Sequence, residues 1–197
     1  MPPPPWLEAV ERRAPDTVAV WRTLEGHLRS NPAFRRELSA RAGSGSAPHV
    51  LAEQEAIADA LADALAACGE DVLRRPGGEE DWNVAQAFAH TTASRRWLVS
   101  AAAMAARGEW PEEEPVVRPG IPGPADASRE LLATYLAKSR RSMAISAAAI
   151  AGHEAQPCPL DHPLVGFLRC GEWLLFAGVH DLMHLEQIRT IIGGAGR

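Results

Sequence analysis

The apolar residues of this chain recur at steps of three and four, and almost nowhere at steps of two. Leu51, Ile57 or Ala58, Leu61 and Leu65 keep that spacing, and so do Leu131, Leu132, Tyr135, Leu136, Met143 and Ile150. Alternating runs of β-branched and aromatic residues do not occur, and Ala, Leu, Glu and Arg dominate the regular stretches. A helix with one apolar stripe must cover that stripe with another helix. The chain therefore reads as all-α.

Proline and glycine divide it. The first long helix is expected from His49 to Cys68, stopped by Gly69. The second runs from Asp81 to about Arg107, with Asn83 and Gln86 in capping-box spacing and Gly108 and Pro111 beyond its end. The third spans Ala125 to Ala151, and the fourth Gly171 to Ile192, stopped by Gly193-Gly194. The connections Gly108–Pro124 and Gly152–Cys170 are too long for tight hairpins. Such connections permit crossovers, and one lying over a bundle end can wall a pocket.

Residues 1–47 read as an arm and flexible linker ahead of a bundle at 48–197. Pro2 to Pro5 cannot be helix interior. Asp16 is expected to cap a short helix carrying Val18, Trp21, Leu24 and Leu28, and Asn31-Pro32 to start another. The arm's apolar stripe must dock on its own bundle or on a partner's, so a homodimer is one arrangement it permits.

Composition narrows the function classes. With 197 residues, 46% of them hydrophobic, the chain can bury a sizeable core. The net charge of -5 comes from interspersed signs, without a basic stripe, so nucleic-acid binding is not expected. No apolar run approaches the roughly 18 residues of a membrane helix, and no basic-then-apolar leader opens the chain. Cys68, Cys158 and Cys170 lack metal-ligand spacing and read as free thiols of a reducing cytoplasm.

Three histidines carry the chemistry. His180 and His184 stand four apart, so they stack on one helix face. The inward stripe there is Trp173, Ala177, His180, His184, Ile188 and Ile191. Adjacent buried imidazoles need partners for their ring nitrogens, and a shared metal supplies one to each. If a neighbouring helix brings His90 to the same level, three imidazoles form a facial site with open positions. Among seven histidines such a pair also arises by chance.

Two longer patterns surround them. Trp82-Asn83-Val84-Ala85-Gln86 leads to His90, and His162-Pro163-Leu164-Val165-Gly166 is followed by Glu172-Trp173-Leu174-Leu175-Phe176 and then by His180, His184, Gln187 and Ile188. Together they resemble the two signatures of the DinB-like superfamily, from about Pro48 onward. The resemblance implies an up-down-down-up four-helix bundle whose signature histidines, here His90, His180 and His184, bind a divalent metal, usually zinc or nickel. It also implies a small-molecule substrate and activation of a low-molecular-weight thiol or of water, as in thiol S-transferases, a thiol-dependent maleylpyruvate isomerase and metal-dependent hydrolases. A metal sensor without turnover, or a structural dimerising bundle, would use the same fold. The chain departs from the pattern at Arg169, where members often carry Ser or Thr three residues before the Glu, so the start of the fourth helix must be fixed differently.

Other residues carry less. His162 is expected to be a loop or packing residue, and His153, Cys158 and His162 a loop rather than a second metal cluster. Gln86, Asp181 and Glu186 are candidates to support the ligands from behind, although Asp181 points about 100° away from its neighbour His180. Trp97 and Trp173 are candidates to line a pocket.

Overall fold

The computed structural model describes residues 4–77, 81–113 and 115–194, so Pro2 and Pro3 lie outside the described residues. Three short helices come first: α1 (Pro5–Glu11), α2 (Pro15–Trp21) and α3 (Pro32–Arg41), with a 3-10 turn at Leu28–Ser30 before α3. Then come α4 (Ala47–Ala67), the one-turn α5 (Glu70–Leu73), α6 (Val84–Ala106) and α7 (Arg129–Ile150). A hairpin of β1 (Pro157–His162) and β2 (Gly166–Arg169) leads into α8 (Cys170–Gly194).

The helix starts follow from capping. The Asn83 side chain accepts from Gln86 N–H at 2.8 Å, and Gln86 Oε1 accepts from Asn83 N–H at 3.1 Å, a reciprocal box that begins α6. Asn31 caps α3 as its sequence predicts, accepting from Ala33 and Phe34. Asp16 does not cap α2. Its side chain lies inside the first turn, and the cap comes from α4 instead: Glu53 accepts from the N–H groups of Asp16 at 2.9 Å and Thr17 at 2.8 Å. That helix ends at Trp21, so Leu24 and Leu28 are not on it. At the other end of the chain α8 runs through Gly193 to Gly194, beyond the expected stop.

The hairpin is the departure from an otherwise helical reading. Cys158, Leu160 and His162 of β1 face inward in alternation, but six residues interrupted by Pro157 and Pro159 are too few to stand out from a loop. Its partner strand then delivers the chain to α8. There Glu172 accepts from Arg169 N–H at 2.8 Å, and Ser39 of α3 donates to the other Glu172 oxygen, so the carboxylate rather than a hydroxyl at position 169 fixes the helix start.

Packing and polarity of the long helices give the topology. α4 and α6 each lie against both α7 and α8. Arg129, at the start of α7, donates to the carbonyls of Leu65 and Cys68 at the end of α4, and Asn83 Nδ2 donates at 3.0 Å to Ala125. So α4 ends where α6 and α7 begin. At the opposite end Gly171 N–H bonds the Glu154 carbonyl, joining the start of α8 to the segment after α7. The order is up-down-down-up, and the connection 107–128 travels the length of the bundle.

Two apolar clusters fill the interior. One contains Phe34, Leu38, Val99, Met143, Trp173 and Phe176, the other Ile57, Leu61, Phe88, Leu132, Leu185 and Ile188. Each fully buried side chain of this kind contributes roughly 1.5–3 kcal/mol. The arm takes part in both clusters, through Phe34 against Phe176 at 6.1 Å and through Leu7, Val10 and Val18. Between the clusters lies a buried polar layer of Gln54, Arg95, Ser139 and Asp181. The histidines stand at that level.

Candidate metal centre

α8 carries His180 and His184 one turn apart, and α6 lies against it. Their ring centroids are 4.5 Å apart, and His90 reaches them from α6 at 5.4 Å from His180 and 4.7 Å from His184. One nitrogen from each ring lies within 4.8 Å of the others. The level is set by the start of α6: the capping box fixes its first turn, and His90 follows two turns later. Trp82, just before the cap, closes the same side, stacked parallel to His184 at 6.1 Å and edge-on to His90 at 5.0 Å.

Hydrogen bonds fix the tautomers. His90 Nδ1 lies 2.7 Å from the Ile121 carbonyl oxygen, which can only accept, so Nδ1 carries the proton and Nε2 the lone pair. His184 Nδ1 lies 2.8 Å from Gln187 Oε1 and takes the same form. The Ser94 hydroxyl stands 3.4 Å from His90 Nε2. His184 Nε2 in turn faces His180 Nε2 at 3.3 Å.

That last contact is not satisfied by protein alone. If His180 protonates Nε2 and donates to His184, its Nδ1 is a buried lone pair; if it protonates Nδ1, two lone pairs meet. His180 Nδ1 has no hydrogen-bond partner among the described residues. A cation between the Nε2 atoms removes the conflict there. Nitrogens bound at about 2.0–2.1 Å to a tetrahedral zinc lie about 3.3–3.4 Å apart, which matches the spacing of this pair. The donor set therefore fits a divalent metal.

Electrostatics agree with neutral ligands. Burial holds the His180 imidazole well below its usual range, with His184 and His90 adding to the effect. Burial also lowers His184 to about 4, against the opposing pull of its bond to Gln187. Neither ring carries a proton to displace near neutral pH.

The centre opens into a cavity of about 880 Å³ between α6, α7 and α8. Residues 116–124 wall it, so the long connection does cover a pocket, and Gly123 brings it onto α6: its N–H bonds the Gln86 carbonyl at 3.2 Å. Trp97 lines the cavity, as its sequence position suggests. Trp173 does not; it is fully buried in the core.

His162 packs as expected, from the end of β1 rather than from a loop, and it does more. Its ring packs on Trp173 and Phe176, each at 6.0 Å, yet it also lines the cavity. Of the other candidates, Gln86 is spent on the capping box. Asp181 points into the core, where its carboxylate lies 3.4 Å from Arg95 Nε with both side chains fully buried. Burial pushes that carboxyl up to about 7 against the attraction of Arg95. Glu186 is exposed. The group that does hold one of the three histidines is Gln187, three residues after His184 on the same face, a spacing that marks it in the sequence. No sequence signal marks the Ile121 carbonyl, a backbone atom of the crossover.

Two further groupings are less suited to a metal. His153, Cys158 and His162 do not form a ligand group among the described residues. Burial raises the Cys158 thiol, which leaves it a poor nucleophile. Asp16, His49 and Glu53 do approach one another, but Glu53 caps α2 and Asp16 pairs with Arg41 at 3.2 Å.

No helix among the described residues is long and apolar enough to cross a membrane. Comparison with protein families matches the chain to the DinB superfamily over residues 51–188. No curated protein and no solved structure matches the chain.

Proposed function

Because the chain belongs to the DinB superfamily, with a family match that takes in all three histidines, we propose that His90, His180 and His184 hold one divalent metal and that the centre serves an enzyme of small-molecule chemistry. The observation that carries this reading is the pair of Nε2 atoms facing each other at 3.3 Å, with the His184 proton drawn away to Gln187. Zinc and nickel both accept three imidazoles.

A metal on three neutral ligands supplies a Lewis acid that lowers the pKa of water to about 7 and deprotonates a thiol outright. The cavity gives a reason to need it: among the described residues no Asp or Glu lines it to serve as a base. Ile121 and Gln187 orient the imidazoles through their Nδ1 protons. Trp82 shields them, and Trp97, Tyr135 and Met183 offer apolar walls. A volume of about 880 Å³ leaves room for an organic thiol beside a small electrophile, as thiol-dependent relatives of this superfamily would need. Thiol transfer is therefore the favoured reaction.

The test is turnover by zinc-loaded and nickel-loaded protein with a panel of small thiols and alkylating or unsaturated electrophiles. Loss of thiol dependent on both metal and His184 supports the reading. Release of acid or alcohol without thiol consumption would point to hydrolysis instead, and metal binding with no turnover across the panel to a sensor.

A further inference from the structure

His162 is a polar side chain, 6% exposed, set in an apolar stretch of the cavity wall. Its Nδ1 accepts from Leu164 N–H at 3.1 Å. A neutral ring with Nδ1 accepting carries its proton on Nε2. Burial lowers its pKa to about 4, so the neutral form holds near pH 7. No partner for Nε2 is found among the described residues. The ring lines the cavity, so a ligand there can accept that hydrogen bond.

The charge of the lining points the same way. Two guanidiniums, Arg96 on α6 and Arg118 on the crossover, line the cavity from exposed positions. Neither has a carboxylate partner within ion-pair distance among the described residues. Among the described residues no acidic side chain lines the cavity to offset them. Low-dielectric walls of Trp97, Tyr135 and Leu164 strengthen the field of such charges on a bound group.

We infer that the cavity takes a small organic carboxylate, its apolar body against the aromatic wall and its anionic group held by His162 Nε2–H and the Arg96 and Arg118 guanidiniums. The inference rests on the proposed function in taking this cavity as the substrate site. The donors it names are separate from the histidine triad, so anion recognition persists without metal.

Calorimetric titration of metal-free and zinc-loaded protein with 2-naphthoate and with its neutral isostere 2-naphthamide tests it. The expected result is naphthoate binding about tenfold tighter than the amide in metal-free protein, the size of one charge-assisted hydrogen bond. That preference should fall severalfold in Arg96→Gln/Arg118→Gln and in His162→Phe. The arginine pair is exposed, so its variant keeps the fold even if the His162 variant does not. Equal binding of the two probes, binding of neither, or a preference untouched by the arginine pair overturns the inference. If the preference appears only with zinc, the metal rather than these side chains reads the anion, which also overturns it. An arginine-dependent preference in a protein that binds no zinc would sustain the inference while sinking the metal centre. Turnover without anion preference would do the reverse.

Discussion

His184 Nε2 stands 3.3 Å from His180 Nε2, and the proton that could ease the contact from the His184 side is held on Nδ1 by Gln187. A protein that keeps two ring nitrogens so placed is more stable with a cation between them. Saturating zinc should therefore raise Tm, and a chelator should reverse the rise. Ligand at one hundred times its dissociation constant stabilises by about 2.7 kcal/mol. Thermal melts with zinc, with chelator and with magnesium as a hard-cation control measure it; an unchanged Tm would argue against the pairing.

Gln187 holds the tautomer and ring orientation of His184. Replacing it with Leu removes the acceptor and should weaken metal binding about 10–100-fold, whereas Glu at the same position should retain it. Competition with a chromophoric chelator reads the affinity directly. Equal affinities for Gln187→Leu and wild type would leave Gln187 a bystander.

Gly123 lets the crossover reach α6. A Cβ there would lie 2.4 Å from Ala89 Cβ and 2.9 Å from the Gln86 carbonyl oxygen. Gly123→Ala must push the loop outward, and Ile121, two residues earlier, would carry its carbonyl away from His90. The expected outcome is a loss of about 1–3 kcal/mol of stability together with weaker metal binding. Stability loss alone, with affinity intact, would show that the Ile121 contact does not tune the centre.

The buried pair Arg95–Asp181 ties α6 to α8 beside the histidines. Asp181→Ala leaves a buried guanidinium without its counter-charge and should cost about 3–5 kcal/mol, whereas Arg95→Met/Asp181→Leu should cost much less than the two single changes together. Denaturant unfolding of the cycle decides; additive losses would mean that the two side chains act independently.

His162 gives a pH dependence of definite sign. Its folded pKa is about 4 against an ordinary 6.5, so above 6.5 neither state is protonated and the group adds no pH-dependent term. Between 6.5 and 4 the unfolded chain takes up a proton that the folded one refuses, and stability falls with pH. His162→Gln loses packing at pH 7 but escapes this acid penalty. Its destabilisation in metal-free protein should shrink by about 1–2 kcal/mol between pH 7 and pH 5. A destabilisation that grows on acidification would contradict the buried neutral ring.

The sequence made the bundle readable because its long helices each carry both a stripe and a stop. Asn83 with Gln86, and Asn31 before Pro32, mark helix starts through contacts three residues long, and both caps form as read. Asp16 looked like the same signal but lost the position to Glu53, whose carboxylate arrives from α4, some 37 residues away. No local pattern carries that. The β1–β2 hairpin was hidden by its prolines. At the centre, the spacing of His180 and His184 and the two flanking signatures pointed to the triad, and Gln187 was visible at one further turn. The Ile121 carbonyl, the Arg95–Asp181 pair and the cavity face of His162 depend on how the crossover and hairpin fold over the bundle, which periodicity does not encode.

The metal content of the protein purified without a histidine tag tests the central claim most directly. Elemental analysis after zinc or nickel reconstitution should give close to one metal per chain in wild type, and close to none in His180→Ala and His184→Ala. A wild-type protein without metal after reconstitution, or variants that keep it, would contradict the account.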